Sequence, residues 1–469
     1  MKTTSDNYQF IMSKPFRPRS RMAIVLTTSG GQFSFTDDEI ITAKKVDDVD
    51  PLARRLPKHT FEFTIEDFEG EYDPSNPQGK WELVDKNASL SVVIGQELNE
   101  SETEWLTADE YRLTGKPTVS NGVVSFSAVS ILSSLTNKFY KIGAGSHTYY
   151  QLAEAILQDA GITNYYLSSM LSSYTTTAPL PVDTSANLLQ MIAHATSCVL
   201  SCSRGRITIA PLNEITYNGN PLTLNSIAMN GDKVSKIEPL YKVQANKYTY
   251  TSESTATNIY EAEVYISGSL DYHCEFNAAT DVSISTTATV SESHIYARAC
   301  DLKLTGNGSY TITITGKKIN AAVDMQELIE GSDVNGGVDL ENNALVTNDT
   351  TRTRLLTNTK NYLLKRITHE VKYRGSPELE ALDGIYLQSE YGYSDSLILN
   401  TTITYNGALS GSIIAKEIQN TTGGDLYDSN DQQVEDYTGD AIQVIGSNNY
   451  TSEFTYEQMN DFCYDVLGG

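Results

Sequence analysis

From Thr184 to Leu212 the chain reads TSANLLQMIAHATSCVLSCSRGRITIAPL, and the period of its apolar positions changes half-way. Leu188, Met191, Ile192 and Ala195 recur at helical spacing behind Thr184 and Ser185, either of which can accept a free N–H at a helix start. Beyond Thr196, residues 199–203 and 206–210 alternate around Arg204-Gly205, which predicts a hairpin packed on that helix. Upstream, Thr148-Tyr149-Tyr150-Gln151 has the form of a capping box. Leu152, Ala155 and Ile156 follow as its buried stripe, and Gly161 is placed to end the helix in a left-handed conformation. Two helices and a hairpin predict a small α+β unit over residues 143–215.

Elsewhere the dominant period is two. Residues 22–28, 32–36, 59–67 and 89–95 read as strands; in the third, Phe61, Phe63 and Ile65 alternate with Glu62, Thr64 and Glu66. Asn121-Gly122 sits between two alternating runs as a two-residue hairpin loop, because both residues tolerate positive φ. Residues 1–142 are therefore predicted to form an antiparallel β-barrel or sandwich. Strand patterning resumes over 233–250 and 259–267, and residues 301–305 and 310–315 flank Gly306-Asn307-Gly308 as a further predicted hairpin. Residues 329–345 read as a loop. Residues 348–367 read as a helix capped by Asn348 or Thr350, with Leu355, Leu356, Tyr362, Leu363 and Ile367 on its apolar side and basic residues toward its end. Residues 371–387, 396–405 and 408–416, with Asn406-Gly407 between the last two, make closing hairpins. Residues 216–419 are thus predicted to be a second β-barrel with the helix packed on it. From Glu417 onward no Lys or Arg occurs, and residues 420–469 read as an acidic C-terminal tail.

Charge narrows the partners. A formal net charge of −25 makes a surface that repels phosphate, against sequence-specific nucleic-acid binding. The main basic patch is SKPFRPRSR, where Pro15 and Pro18 forbid a regular helix. Lys14, Arg17, Arg19 and Arg21 there form either a solvated segment or a docking arm for an acidic neighbour. Near the other end, YEQMNDFCYDVL would place Tyr456, Met459 and Phe462 on an acidic amphipathic helix, a docking peptide or a frayed terminus. Five cysteines, an odd number behind an N-terminus without an apolar leader, predict no disulfide framework, and their spacing lacks the second half of a zinc site. No run approaches the roughly 18 apolar residues of a membrane span. The six histidines fall in no metal or nucleophile motif, so no catalytic, cofactor-binding or metal-ligating residue is assigned and no cofactor is expected. Asp383, before Gly384, has a sufficient role as a turn residue.

Three stretches carry a resemblance. "HTYYQLAEAILQDAGI" followed by "SANLLQMIAHATSCVLSCSRGRITIAPL", the loop EGEYDPSNPQGKW, and the pair RGSPELEALDGIYL and YNGALSG stand in the order found in phage tail hub proteins. That family includes the baseplate hubs of contractile tails and their counterparts at the tips of long non-contractile tails. The chain resembles it over about residues 10–419, with Gly and Asp transposed at Asp383-Gly384. The resemblance implies a mainly β fold with a small α+β insertion and two antiparallel β-barrel domains of the tail-tube/hub type. It also implies a ring, most often a homotrimer, that joins the tail tube to the tip and lets DNA pass. Partners would be the distal tail or tube protein above and tip or fibre proteins below, in a virion tail assembled in the host cytoplasm and not inserted in a membrane. In such a ring, Glu62, Glu66, Glu261 and Glu263, on the polar faces of predicted strands, would line the lumen. Two alternatives stand beside the structural hub. One is a tail-tip cell-wall hydrolase, a peptidase or glycosidase, although the roughly fifty residues after the second barrel are too few for a wall-degrading domain. The other is a receptor-binding adhesin using its 29 tyrosines for carbohydrate stacking.

Overall fold

The strict alternation around Phe61 is realised in the strand Lys58–Glu66, where every second residue from His59 to Ile65 is buried. The computed structural model describes residues 4–14, 17–215, 227–238, 240–330, 337–340, 342–389 and 392–418. The chain divides into two units, Met1–Asn420 and Thr421–Gly469, and the described residues belong to the first.

The molecule is mainly β and its sheets are antiparallel almost throughout. The larger sheet has 13 strands among the described residues. Its N-terminal part runs from Ile40–Asp48 through Lys58–Glu66, Val123–Ser130, Glu102–Leu113, Ser89–Asn99 and Ser20–Thr28 to the edge at Gly31–Thr36. The inner face is aromatic. Phe63 stacks on Phe126 with ring centres 4.6 Å apart, and Phe35, Phe61, Tyr72 and Tyr111 pack around them. Asn121 and Gly122 both take positive φ, 52° and 73°, in the predicted tight turn. The 67–81 loop is held by its own polar groups: the Asp67 carboxylate accepts from the backbone N–H of Glu71 and Tyr72, and the Asn76 amide donates to the Gly70 carbonyl.

Where two separate barrels are predicted, the structure joins their strands. Gly392–Tyr405 pairs with Ile40–Asp48, Tyr405 opposite Ala43 and Ile403 opposite Lys45. The sheet then continues through Leu409–Glu417 and Ile367–Tyr373 to Ile227–Lys236. The pairing path is open; its end strands, Gly31–Thr36 and Ile227–Lys236, are not paired with each other among the described residues. Ile40–Asp48 would otherwise leave a row of unpaired N–H and C=O groups, and Gly392–Tyr405 satisfies it. Ile40–Asp48 and Glu102–Leu113 escape the sequence pattern because acidic and basic side chains interrupt their alternation.

The helical unit forms as its sequence predicts. Tyr149–Asp159 begins with a complete capping box between Thr148 and Gln151, and Gly161 follows it with φ +70°. Ala153 and Leu157 complete its buried face, whereas Ala155 is only half-buried. Ser185–Ala195 starts at Thr184, whose hydroxyl accepts from the Asn187 N–H, and buries Leu188, Leu189 and Ile192 completely. Val199–Ser201 and Ile207–Ala210 pair antiparallel across a short 3₁₀ turn at Ser203–Gly205. The helix Asp349–Leu364 is capped by Asn348 and ends before Lys365, so no basic residue occupies its last turn and Ile367 opens the next strand instead. Its Leu355 and Leu356 share one core with Leu188 and Ile192, and Arg354 Nε donates to the Thr196 carbonyl at 3.1 Å. The helix therefore covers the helical unit as well as the strand Lys242–Ser252.

A second sheet of six strands is built on one strand of 31 residues, Ala299–Ile329. The hairpin predicted at Gly306-Asn307-Gly308 does not form: the strand runs straight through, with Gly306 opposite Gly268 and Asn307 opposite Ser267 of Thr257–Glu275. The glycines make room there rather than a turn. A Cβ on Gly306 would stand 2.7 Å from the Tyr310 ring, and the Asn307 side-chain oxygen accepts from the Gly268 N–H.

Candidate functional sites

The basic arm is fastened to the sheet. Arg17 Nη1 donates to the Gly375 carbonyl at 2.9 Å, and burial pushes its guanidinium below its ordinary pKa. Arg19 lies 2.9 Å from Asp37, Arg21 lies 2.8 Å from Glu97, and the Lys14 ammonium stands 4.2 Å over the Phe10 ring. In return Arg374 donates to the Lys14 carbonyl at 3.0 Å. Tyr456, Met459 and Phe462 lie outside the described residues.

Of the predicted lumen acids, Glu62 and Glu66 are exposed on Lys58–Glu66, the first between Lys44 and Ser127 on the neighbouring strands. Glu261 and Glu263 are exposed on Thr257–Glu275, opposite Thr313 and Thr311. The two pairs belong to different sheets.

A cluster that pattern reading missed lies inside. Lys45 and Asp47 occupy core-facing positions of Ile40–Asp48, His59 that of Lys58–Glu66, and Asp109 that of Glu102–Leu113; none is more than 4% exposed. Lys45 Nζ lies 2.9 Å from Asp47 and 3.8 Å from Glu380, which comes from the turn before Gly384–Ser389. His59 Nδ1 stands 3.1 Å from the other Asp47 oxygen. Asp109 accepts from the Gly205 N–H at 2.7 Å, which ties in the turn of the helical unit. Three parts distant in sequence thus meet at one ionic knot: the N-terminal strands, the inserted unit and the closing hairpins.

The electrostatics follow from burial and pairing. Burial would push the Lys45 ammonium down, but Asp47 and Glu380 outweigh it and hold it above its ordinary range. Burial would likewise raise Asp47, yet Lys45 and His59 hold it well below the usual carboxylate range. Burial works against the charged His59 ring too, and Cys202 and Asp47 more than offset it, keeping its pKa well above 6.5. Asp109 goes the other way: burial pushes it up to about 6, with Lys45 only partly compensating. With Asp109 protonated, Lys45 and His59 balance Asp47 and Glu380.

Donor atoms of Asp47, His59 and Asp109 all lie within 4.8 Å of one another, close enough to share a metal ion. The Lys45 ammonium already fills the cation's role at Asp47, so a divalent ion would bring surplus positive charge into a low-dielectric interior. Asp47, His59 and Cys202 also have the residue types of a thiol-nucleophile triad, but all three are buried where an acyl substrate has no access. A cleft of about 330 Å³ opens nearby, between Tyr166, Arg206, Thr208, Glu214, Leu382 and Asp383. No His or Cys is among the described residues lining it, and Glu214 is held by the hydroxyls of Tyr166 and Ser168. Asp383 works as a turn residue: its carboxylate accepts from the Glu380 N–H, and Leu382 before it has φ +73°.

The last third of Ala299–Ile329 presents an exposed strand surface with apolar side chains. Residues 320–327 are exposed on both faces, with Val323 and Met325 each 56% and Ile329 59% exposed. Its one edge pairs with Lys242–Ser252; no strand pairs with the other among the described residues.

No protein-family model matches the chain, and no curated protein matches it in sequence. Among solved structures it is similar to a tail protein from Neisseria meningitidis MC58, at 10% identity over 84% of this chain and 96% of that one, with a TM-score of 0.45. The 43 kDa tail protein of prophage MuSo2 from Shewanella oneidensis aligns at 10% identity over 84% and 98%, with a TM-score of 0.44. Prophage tail protein gp18 from Listeria monocytogenes EGD-e aligns at 9% identity over 83% and 94%, with a TM-score of 0.45. These are tail proteins, the class that the sequence motifs resemble.

Proposed function

We propose that this chain is a structural hub of a phage or phage-like tail tip or baseplate, without enzymatic activity. Copies assemble as a ring, a homotrimer, that joins the tail tube to the distal components and leaves a lumen for DNA. The domain order is the one set out above: barrel-type strands over 1–142, the α+β unit over 143–215, barrel-type strands with a packed helix over 216–419, and an acidic tail over 420–469. Lys14, Arg17, Arg19 and Arg21 serve as an arm for an acidic neighbour, fixed in place by Gly375, Asp37 and Glu97. Glu62, Glu66, Glu261 and Glu263 keep the lumen negative, so that a polyanion slides without sticking. Tyr456, Met459 and Phe462 dock the next component.

The observation that carries this reading is the open strand 320–329. Val323, Met325 and Ile329 line it at more than half exposure. Arg352 holds the Asp324 carbonyl, and no strand among the described residues pairs with that edge. A long edge with exposed apolar side chains is an aggregation hazard unless another chain covers it, and an assembly component has such a partner. The hub motifs, carried elsewhere by residues 69–81, 147–212, 374–387 and 405–411, agree with that role. Light scattering of the purified chain, with electron microscopy of the same sample, tests the proposal. The wild type should form a ring with a central channel, and Val323→Asp with Met325→Asp should give a folded monomer. A wild type that stays monomeric at all concentrations, or a double variant that still forms rings, overturns it.

A further inference from the structure

Cys274 and Cys300 face each other directly across antiparallel strands, with their sulfur atoms 3.3 Å apart. Directly opposed residues of an antiparallel pair have Cα atoms about 4.5–5.5 Å apart, inside the range that a disulfide spans. Closing the gap to a bond of about 2.05 Å needs side-chain rotation and no movement of the strands. Around the pair, Ile266, Ala288, Leu302 and Leu304 form an apolar cluster that brings no competing sulfur. Cys198 and Cys202 belong to a different core, in the helical unit.

We propose that Cys274 and Cys300 are a dithiol–disulfide pair that closes when the protein meets a small peroxide. In the first step the Cys274 thiolate attacks one peroxide oxygen. The O–O bond breaks, hydroxide leaves and takes a proton to become water, and Cys274 becomes a sulfenic acid. In the second step the Cys300 sulfur attacks the Cys274 sulfur and displaces hydroxide, which leaves as water with the Cys300 proton. In sum, two thiols and one hydrogen peroxide give one disulfide and two waters; the protein loses two electrons and the peroxide gains them. The order follows from the geometry. Cys274 is 3% exposed and Cys300 is fully buried, so the oxidant reaches Cys274 first. The closed bond staples the excursion of residues 275–299, which carries Ala279–Thr286 and Thr289–Ile295, to the base of the long strand. In a reducing compartment the same pair stays open.

The test uses the full chain, treated with hydrogen peroxide, alkylated without reductant, digested and read by mass spectrometry. One linked peptide pair containing Cys274 and Cys300 should appear, with two fewer alkylated thiols per chain, both restored by dithiothreitol. In Cys300→Ser the intermediate has no resolving thiol, so dimedone should label Cys274. Two results overturn the proposal: both thiols still alkylating in wild-type protein under peroxide that oxidises free cysteine, or Cys274 linking to a different cysteine. The wild-type measurement alone is decisive if the variant fails to fold.

Discussion

Asp109 shows most clearly how one residue couples to its surroundings. Its folded pKa is raised from 3.8 to about 6, so the native state holds that proton more tightly than the unfolded chain. The stability it contributes is complete below its unfolded value and is lost as pH rises through about 6. Asp47, held below its usual range, behaves oppositely: its contribution is present above the unfolded carboxylate value and is lost in acid. His59, held above its ordinary value, contributes stability below pH 6.5 that is lost as pH rises through the raised value. Asp109→Asn keeps an acceptor for the Gly205 N–H but removes the titration. Urea denaturation at several pH values should show the variant gaining on the wild type between pH 4 and 7, by at most about 3 kcal/mol. A difference that stays constant with pH would mean that Asp109 does not titrate in that window.

Among the elements, the helical unit is specified most locally. Thr148 and Gln151 close each other's backbone donors three residues apart, and Leu152, Ile156, Leu188 and Ile192 are completely or almost completely buried. Thr148→Ala should cost about 1 kcal/mol by removing the cap, whereas Leu188→Ala should cost about 2–5 kcal/mol by opening a cavity. Calorimetry of the two variants should rank them in that order; equal losses would place Leu188 off the core. These elements were legible because cap, stripe and terminal glycine lie within one or two turns of chain. The strand through Gly306 was not legible. A Gly-Asn-Gly run has the chemistry of a turn, and only the Tyr310 ring and the pairing with Gly268 turn it into a straight strand.

At the scale of the whole molecule, residues far apart in sequence are stitched together. Arg17 donates to Gly375, Arg374 donates to the Lys14 carbonyl, and Gln9 donates to Glu378 at 2.6 Å. Replacing Arg17 and Arg374 together by Ala should free the arm, since hydrogen bonds from charged groups are worth about 1.5–3 kcal/mol each when part-buried. Limited trypsin digestion should then cut after Arg19, just before the strand Ser20–Thr28, much faster, with the melting of the helical unit unchanged. Equal cutting rates would show that the arm is held by something else.

Local chemistry determined much of this protein by itself. The capping box, the apolar stripes, the Asn121-Gly122 turn and the alternation in Lys58–Glu66 each rest on neighbours within a few residues, and each stands in the structure. The tertiary structure alone decided that Gly392–Tyr405 lies on Ile40–Asp48, that Lys45 and Asp47 point inward, and that Cys274 meets Cys300. The physical reason is the same in each case. A strand's own sequence sets which faces it offers, but its partner and register depend on which distant edge remains unpaired. A charge at a core-facing position breaks the pattern when read along one strand and becomes tolerable only when opposite charges arrive from others.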